Sequence, residues 1–161
     1  MQSRLDSTDL AILSWLQRDS SASVGEIAER VGLSQSPCWR RIQRLERSGY
    51  IRERVALLDR RKLGLNLEVF VQVRFSREGA ATLGEFESAI RAAPEVVECY
   101  MLMGDVDFLL RIVTRDVESY ERFLRTRLAV IPGVRDINST IALSTVKATH
   151  ALPLELAAGP G

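Results

Sequence analysis

A single histidine and two cysteines leave this 161-residue chain little of the usual equipment of catalysis or metal binding. The thiols, Cys38 and Cys99, stand far apart and form neither a metal-binding nor a redox spacing. They are expected to be reduced and mostly buried, and with one histidine they cannot assemble a zinc site. That histidine, His150, has no acid or nucleophile patterned around it, and Gly79, Gly84 and Gly104 do not form a phosphate-cradling loop. No apolar run is long enough to cross a membrane, and the polar start Met1-Gln2-Ser3-Arg4 is not that of a signal peptide. Internal repeats and low-complexity stretches are missing too. The expectation is a cytoplasmic protein with no catalytic residues, no metal and no cofactor.

What the chain has is a divided charge. Residues 1–62 carry 12 basic and 8 acidic side chains, a balance of +4, whereas residues 63–161 carry 10 and 13, a balance of −3. A basic front on an acidic back implies that only the front meets a polyanion.

The basic excess centres on the stretch from Gly32 to Gly49. Ser34 stands where an N-cap belongs and its hydroxyl is expected to accept a first-turn amide; Pro37 falls in that first turn, where its missing N–H costs little, and Gly49 stops the helix. Cys38, Ile42 and Leu45 form an apolar stripe. The other side carries Gln35, Ser36, Trp39, Arg40, Gln43, Arg44 and Arg47; its four arginines, Arg41 included, against Glu46 give the helix a charge of +3. Upstream, Asp6 or Ser7 can cap a first helix reaching Arg18, with Asp9, Ile12, Leu13 and Leu16 at helical spacing. Ser23 and Glu26 have capping-box spacing for a second helix. Downstream, Tyr50 to Leu58 reads as two short strands hinged near Arg52–Arg54. Three helices and a hairpin in this order predict a winged helix-turn-helix whose third helix enters a major groove.

A polar connector, Asp59–Asn66, separates this part from the next. Leu67, Val69, Val71, Val73 and Phe75 then alternate with polar and exposed positions as a strand. A helix from Gly79 with Leu83, Phe86 and Ile90 follows, then strands over 96–103 and 106–114. A second helix carries Val117, Tyr120, Leu124 and Leu128, and a strand over 137–146 ends the series. This order, β-α-β-β-α-β, predicts a ferredoxin-like unit whose helices cover one sheet face only, so the other face calls for a partner, most economically a second copy. The fold class is therefore α+β: a winged helix-turn-helix domain with its connector over 1–62, and a ferredoxin-like domain with a poorly ordered tail over 63–161.

Leu5-Asp6, Asp9, Ile12-Leu13, Val31-Gly32-Leu33-Ser34 and Arg40-Arg41-Ile42 followed by Leu45-Glu46 resemble the DNA-binding half of the Lrp/AsnC family of leucine-responsive, or feast/famine, transcription regulators. Gly104-Asp105-Val106-Asp107, Tyr120 with Phe123, Pro132-Gly133-Val134 and Lys147 resemble its amino-acid-sensing half. The match spans roughly residues 5–154 in order and spacing. Ser36 to Arg41 is also similar to the proteobacterial branch that holds cysteine-responsive regulators, although Trp39 replaces a smaller aliphatic residue of the leucine-responsive branch.

The resemblance implies a regulator that binds double-stranded DNA and answers to an amino acid. Arg40, Arg41, Arg44, Arg52 and Arg54 are the expected phosphate contacts, and Gln35, Ser36 and Trp39 the expected base readers; for Trp39, packing against the first helix is the equal alternative. In the second half, Asp105 and Asp107 would accept from a ligand ammonium, and the Gly104 amide with neighbouring main-chain N–H groups would hold its carboxylate. On spacing alone the same dipeptide is an ordinary hairpin turn. Tyr100, Met101 and Met103 would line the side-chain pocket, with Ser139 or Thr140 from a neighbouring strand. A homodimer assembling to an octamer is implied as well. A stand-alone sensor without a specific operator is the alternative function, and an amino-acid-metabolising enzyme a weaker one.

Overall fold

The computed structural model describes residues 5–76 and 83–157. Three helices come first: α1 (Ser7–Leu16), α2 (Val24–Arg30) and α3 (Gln35–Arg47). They are followed by β1 (Leu67–Phe75), α4 (Leu83–Arg91), β2 (Val96–Met101), β3 (Phe108–Thr114), α5 (Val117–Phe123) and β4 (Val134–Ile141). A π-helical turn, Leu124–Leu128, continues α5, and a 3-10 turn, Leu154–Leu156, lies in the tail. The chain divides into two compact units, one running up to Leu57 and taking in the residues from Lys147 on, the other Leu58–Val146. No described helix is long and apolar enough to cross a membrane.

In the first unit four of the helix ends are set by side chains or by glycine. Asp6 caps α1: its Oδ1 accepts the Asp9 N–H at 2.8 Å, while Asp9 Oδ2 accepts the Asp6 N–H at 3.2 Å. Ser23 and Glu26 close the same reciprocal box on α2. Gly32 (φ +69°) ends α2, and the Leu33 N–H reaches back to the Ala28 carbonyl at 2.9 Å, satisfying an orphan acceptor. Gly49 does the same for α3, with the Tyr50 N–H on the Leu45 carbonyl at 3.0 Å. Ile12, Leu16, Ile27, Ala28, Cys38, Ile42 and Leu45 form the core. Arg30 stacks on Trp15, 4.1 Å from the ring centre.

In the second unit the sheet order is β2-β3-β1-β4, every neighbouring pair antiparallel. Val69, Val71 and Val73 of β1 and Phe108, Leu110 and Ile112 of β3 turn inward onto Phe86, Ile90, Tyr120, Phe123 and Leu128 of the helical layer. Phe75, Phe86 and Phe108 meet ring to ring at centroid distances of 4.6 to 5.7 Å. The opposite sheet face, with Phe70 and Tyr100, is open.

Several expectations need correction. No strands form over 52–58; Val55, Leu57 and Leu58 are exposed, with no neighbouring strand to pair with. Ser34 occupies the N-cap of α3 with extended backbone, but its side chain makes no capping bond. The helix of α1 ends at Leu16, short of Arg18. The strands are β2 to Met101, β3 from Phe108 and β4 over Val134–Ile141, so Met103, Val106 and Leu143 lie outside them. Cys38 is buried as expected, but Cys99 is exposed on the edge strand β2. The tail, grouped by chain order with the second domain, clusters instead with the first unit: Gln17 and the Leu152 main chain exchange two hydrogen bonds, 2.9 and 3.1 Å. The expected helix start at Gly79 lies outside the described residues.

Phe86 is fully buried at the centre of the aromatic trio. Phe86→Ala should cost about 3–5 kcal/mol in urea unfolding; an unchanged midpoint would show that the trio does not anchor the helical layer.

Candidate functional site

A carboxylate without water is the organising feature of the first unit. Asp9 has 0% exposure, in a stripe otherwise made of Ile12 and Leu16. A buried charge is tolerated only when paired and hydrogen-bonded, and α3 provides the partners. Arg41 Nη1 donates to Asp9 Oδ1 at 2.8 Å and to Asp6 Oδ2 at 2.6 Å, and Arg44 pairs with Asp9 Oδ2. The Arg41 bond, followed by the Asp9 amide, holds the Asp6 carboxyl below the usual carboxylate range.

Three of the arginines expected at phosphate have acidic partners within the chain. Arg41 and Arg44 face α1, and Arg54 donates to Glu46 Oε1 at 2.9 Å and to the Ser20 carbonyl at 3.3 Å. Arg47 turns back onto the Gln43 carbonyl, serving its own helix end. What α3 presents to solvent is Gln35, Ser36, Trp39 and Arg40, all exposed near its N-terminal end. Trp39 is 53% exposed, so packing against α1 does not account for it. Arg40 and Arg52 enter none of the ion pairs among the described residues. The array combines amide, hydroxyl, indole and guanidinium groups, the donors and stacking surface that base edges and phosphates require.

In the second unit the loop after β2 carries the expected ligand residues. Gly104 adopts φ +141°, which a side chain would rarely permit, and Met103, Gly104 and Asp105 are exposed. Asp107 is already engaged: its Oδ2 accepts the Phe75 N–H at 2.7 Å where β1 bulges, its N–H donates to the Val73 carbonyl and its carbonyl accepts from Leu102. It therefore builds the loop, whereas Asp105 is exposed. Ser139 and Thr140, adjacent on β4, turn to opposite faces. Ser139 shares a short hydrogen bond with buried Tyr120 in the helical layer, leaving Thr140 on the open face beside Phe70.

A polar chain that sequence reasoning missed runs across that open face. Glu68, nearly buried, accepts from Arg60 at 3.1 Å and Arg111 at 3.0 Å; Arg111 also donates to Glu98 at 2.7 Å. The Tyr100 hydroxyl donates to Glu98 at 3.2 Å, and that carboxylate raises the phenol above its ordinary range. The available signal was Glu68, an acid inside an otherwise apolar strand. Among the described residues no cluster of three His, Cys, Asp or Glu could hold a metal ion.

Comparison with known proteins covers both units. Residues 5–52 match the winged helix-turn-helix DNA-binding pattern, and residues 68–152 match the Lrp/AsnC ligand binding domain. The chain is 41% identical over 150 residues to the Bkd operon transcriptional regulator of Pseudomonas aeruginosa, covering 93% of this chain and 98% of that one. A crystal structure of an AsnC family transcriptional regulator from Agrobacterium tumefaciens has TM-score 0.88 at 44% identity, covering 94% of this chain and 98% of that one. A transcriptional regulator from Neisseria meningitidis, solved with L-methionine, has TM-score 0.90 at 36% identity, with 93% and 97% covered.

The clamp has a pH signature. A carboxyl whose pKa is lowered by folding adds stability above its unfolded pKa, and that stability is lost as pH falls through the lowered value. The urea midpoint should therefore drop below about pH 4, and the drop should be smaller in Arg41→Met. An identical acid limb in both proteins would remove the Asp6–Arg41 pair from the account. Asp9→Asn, which leaves two guanidinium groups short of their buried partner, should cost about 3–5 kcal/mol by the same assay.

Proposed function

The chain belongs to the Lrp/AsnC family, a DNA-binding transcriptional regulator with an amino-acid ligand-binding domain, and from that premise we propose how its residues divide the work. Gln35, Ser36 and Trp39 meet base edges in the major groove, and Arg40 and Arg52 meet phosphate. Arg41, Arg44 and Arg54 hold this face in place rather than touch DNA. The observation that carries this division is the pinning of Arg41 and Arg44 by Asp9, with the residues ahead of them left free.

The effector is a free amino acid at the Gly104–Asp107 loop. Asp105 takes its ammonium, main-chain amides beside Gly104 take its carboxylate, and Tyr100, Met101 and Met103 face its side chain. Met103 is fully exposed, so the loop gains walls only from another copy of the chain. A homodimer through the open sheet face, assembling further to an octamer, would provide them. L-methionine is the first effector to test, because the Neisseria relative holds it. The relatives matched are transcription regulators, and a regulator rather than an enzyme, working in the cytoplasm where its DNA lies, is the role that fits.

The test is electrophoretic mobility shift on DNA upstream of the chain's own gene, with L-methionine and the other common amino acids titrated in. Asp105→Asn should raise the effector concentration needed by about tenfold, the value of one charge-assisted bond, while leaving effector-free DNA affinity unchanged. Parallel loss of both would overturn the division of labour. Trp39→Ala should weaken the operator complex while sparing competitor-DNA binding; equal weakening of both would take Trp39 off the base-reading surface.

A further inference from the structure

A feature not yet accounted for is a cleft of about 560 Å³ in the second unit, at the end of the sheet away from the Gly104 loop. Its volume falls in the roughly 300–1,000 Å³ range of small-molecule sites. Glu95, just ahead of β2, and Arg115, Ser119, Arg122, Thr126 and Arg127 are in its walls. The six residues of β2 separate Glu95 from the loop after Met101, a span of roughly 20 Å in extended chain.

Two independent observations mark this cleft as a binding site. The first is Glu95 Oε2, a buried carboxylate oxygen with no hydrogen-bond partner among the described residues. Leaving such an acceptor empty is costly, and native proteins rarely do so without use. The second is that Arg115, Arg122 and Arg127 enter none of the ion pairs among the described residues, although Arg125 of the same segment pairs with Glu121. Asp116, the N-cap of α5, accepts the Ser119 N–H at 2.7 Å; the charges of Arg115 and Arg122 reach its carboxyl, but it forms a salt bridge with none of the three. Three guanidinium groups and one carboxylate give this wall a charge of +2.

The π-helical turn explains how two of these arginines share the wall. Five residues apart on an α-helix, Arg122 and Arg127 would lie roughly 140° apart around the axis. The wider turn, closed by the Ala129 N–H on the Leu124 carbonyl at 2.8 Å, brings both onto the cleft. Such turns occur mostly as single insertions, frequently at functional sites.

We propose that this cleft is a second amino-acid site, separate from the Gly104–Asp107 loop, and that it takes an α-amino acid with an acidic side chain. The guanidinium groups receive the two carboxylates, and the Glu95 carboxyl, whose Oε2 is sealed from solvent, turns outward to accept from the ammonium. A ligand with one positive and two negative groups meets both the orphan acceptor and the cationic excess; a plain dicarboxylate leaves the acceptor empty.

Isothermal titration calorimetry on the full-length protein, with L-glutamate as probe and glutarate as its amine-free counterpart, tests this. L-glutamate should bind, and glutarate should bind about tenfold more weakly for want of one charge-assisted bond. Glu95→Gln and Arg122→Gln should each weaken L-glutamate by about tenfold or more, with unfolding temperatures unchanged; Arg122 is exposed, so its variant carries no folding burden. Asp105→Asn, in the loop, should leave L-glutamate binding unaltered. Absence of L-glutamate heat, or equal affinity for glutarate, would overturn the proposal. So would loss of binding in Asp105→Asn but not in Glu95→Gln, which would place the ligand at the loop and leave the proposed effector site standing.

Discussion

Asp9 is an acid in a place where water cannot reach it, and much of the first unit follows from that placement. Its charge must be met, and the groups that meet it come from α3, far along the chain: Arg41 and Arg44, with Asp6 sharing Arg41. The pairing fixes both the rotation of α3 against α1 and the face that α3 turns outward. Apolar packing by Cys38, Ile42 and Leu45 is non-directional and tolerates some rolling of the helix. A two-armed salt bridge to a buried carboxylate does not, because rotation would strand a charge at a cost of several kcal/mol. Rigid support of this kind is what a recognition surface needs, since a loosely held donor array loses discrimination between bases.

The second unit repeats the tactic. Glu68 sits nearly buried and is held by Arg60 and Arg111, and Arg111 extends the chain of charges to Glu98 and Tyr100. Asp107 joins the β2–β3 loop to the end of β1 through the Phe75 amide. The loop that carries Gly104 and Asp105 is thereby anchored at its base and open at its tip. An effector bound at the tip, as proposed, would act on a short, exposed segment without disturbing the core beneath it.

Periodic features were legible in the sequence and relational ones were not. The stripe Cys38–Ile42–Leu45, the Ser23–Glu26 capping box, the glycine stop at Gly49 and the alternation of β1 all depend on neighbours a few residues apart, and each appears in the structure where spacing placed it. The ββ turn and the helical layer follow from the same local rules. By contrast, an arginine's direction depends on acids elsewhere in the chain. Arg41, Arg44 and Arg54 are alike in sequence to Arg40 and Arg52, and only the folded chain shows which find carboxylates at home. The pairing of Asp107 with Phe75 and the division of Ser139 and Thr140 between sheet faces are likewise matters of register. The expected hairpin over 50–58 failed for a related reason: alternation predicts a strand only when another strand lies alongside.

The proposed hold on DNA rests on the same distinction between arginines at home and arginines abroad. Its most direct measure is the slope of log affinity against log salt for operator DNA, compared between the wild-type protein and Arg40→Gln. Loss of one phosphate contact should make the slope shallower by about one unit. A slope identical to that of the wild type would contradict the assignment of the free face of α3 to DNA.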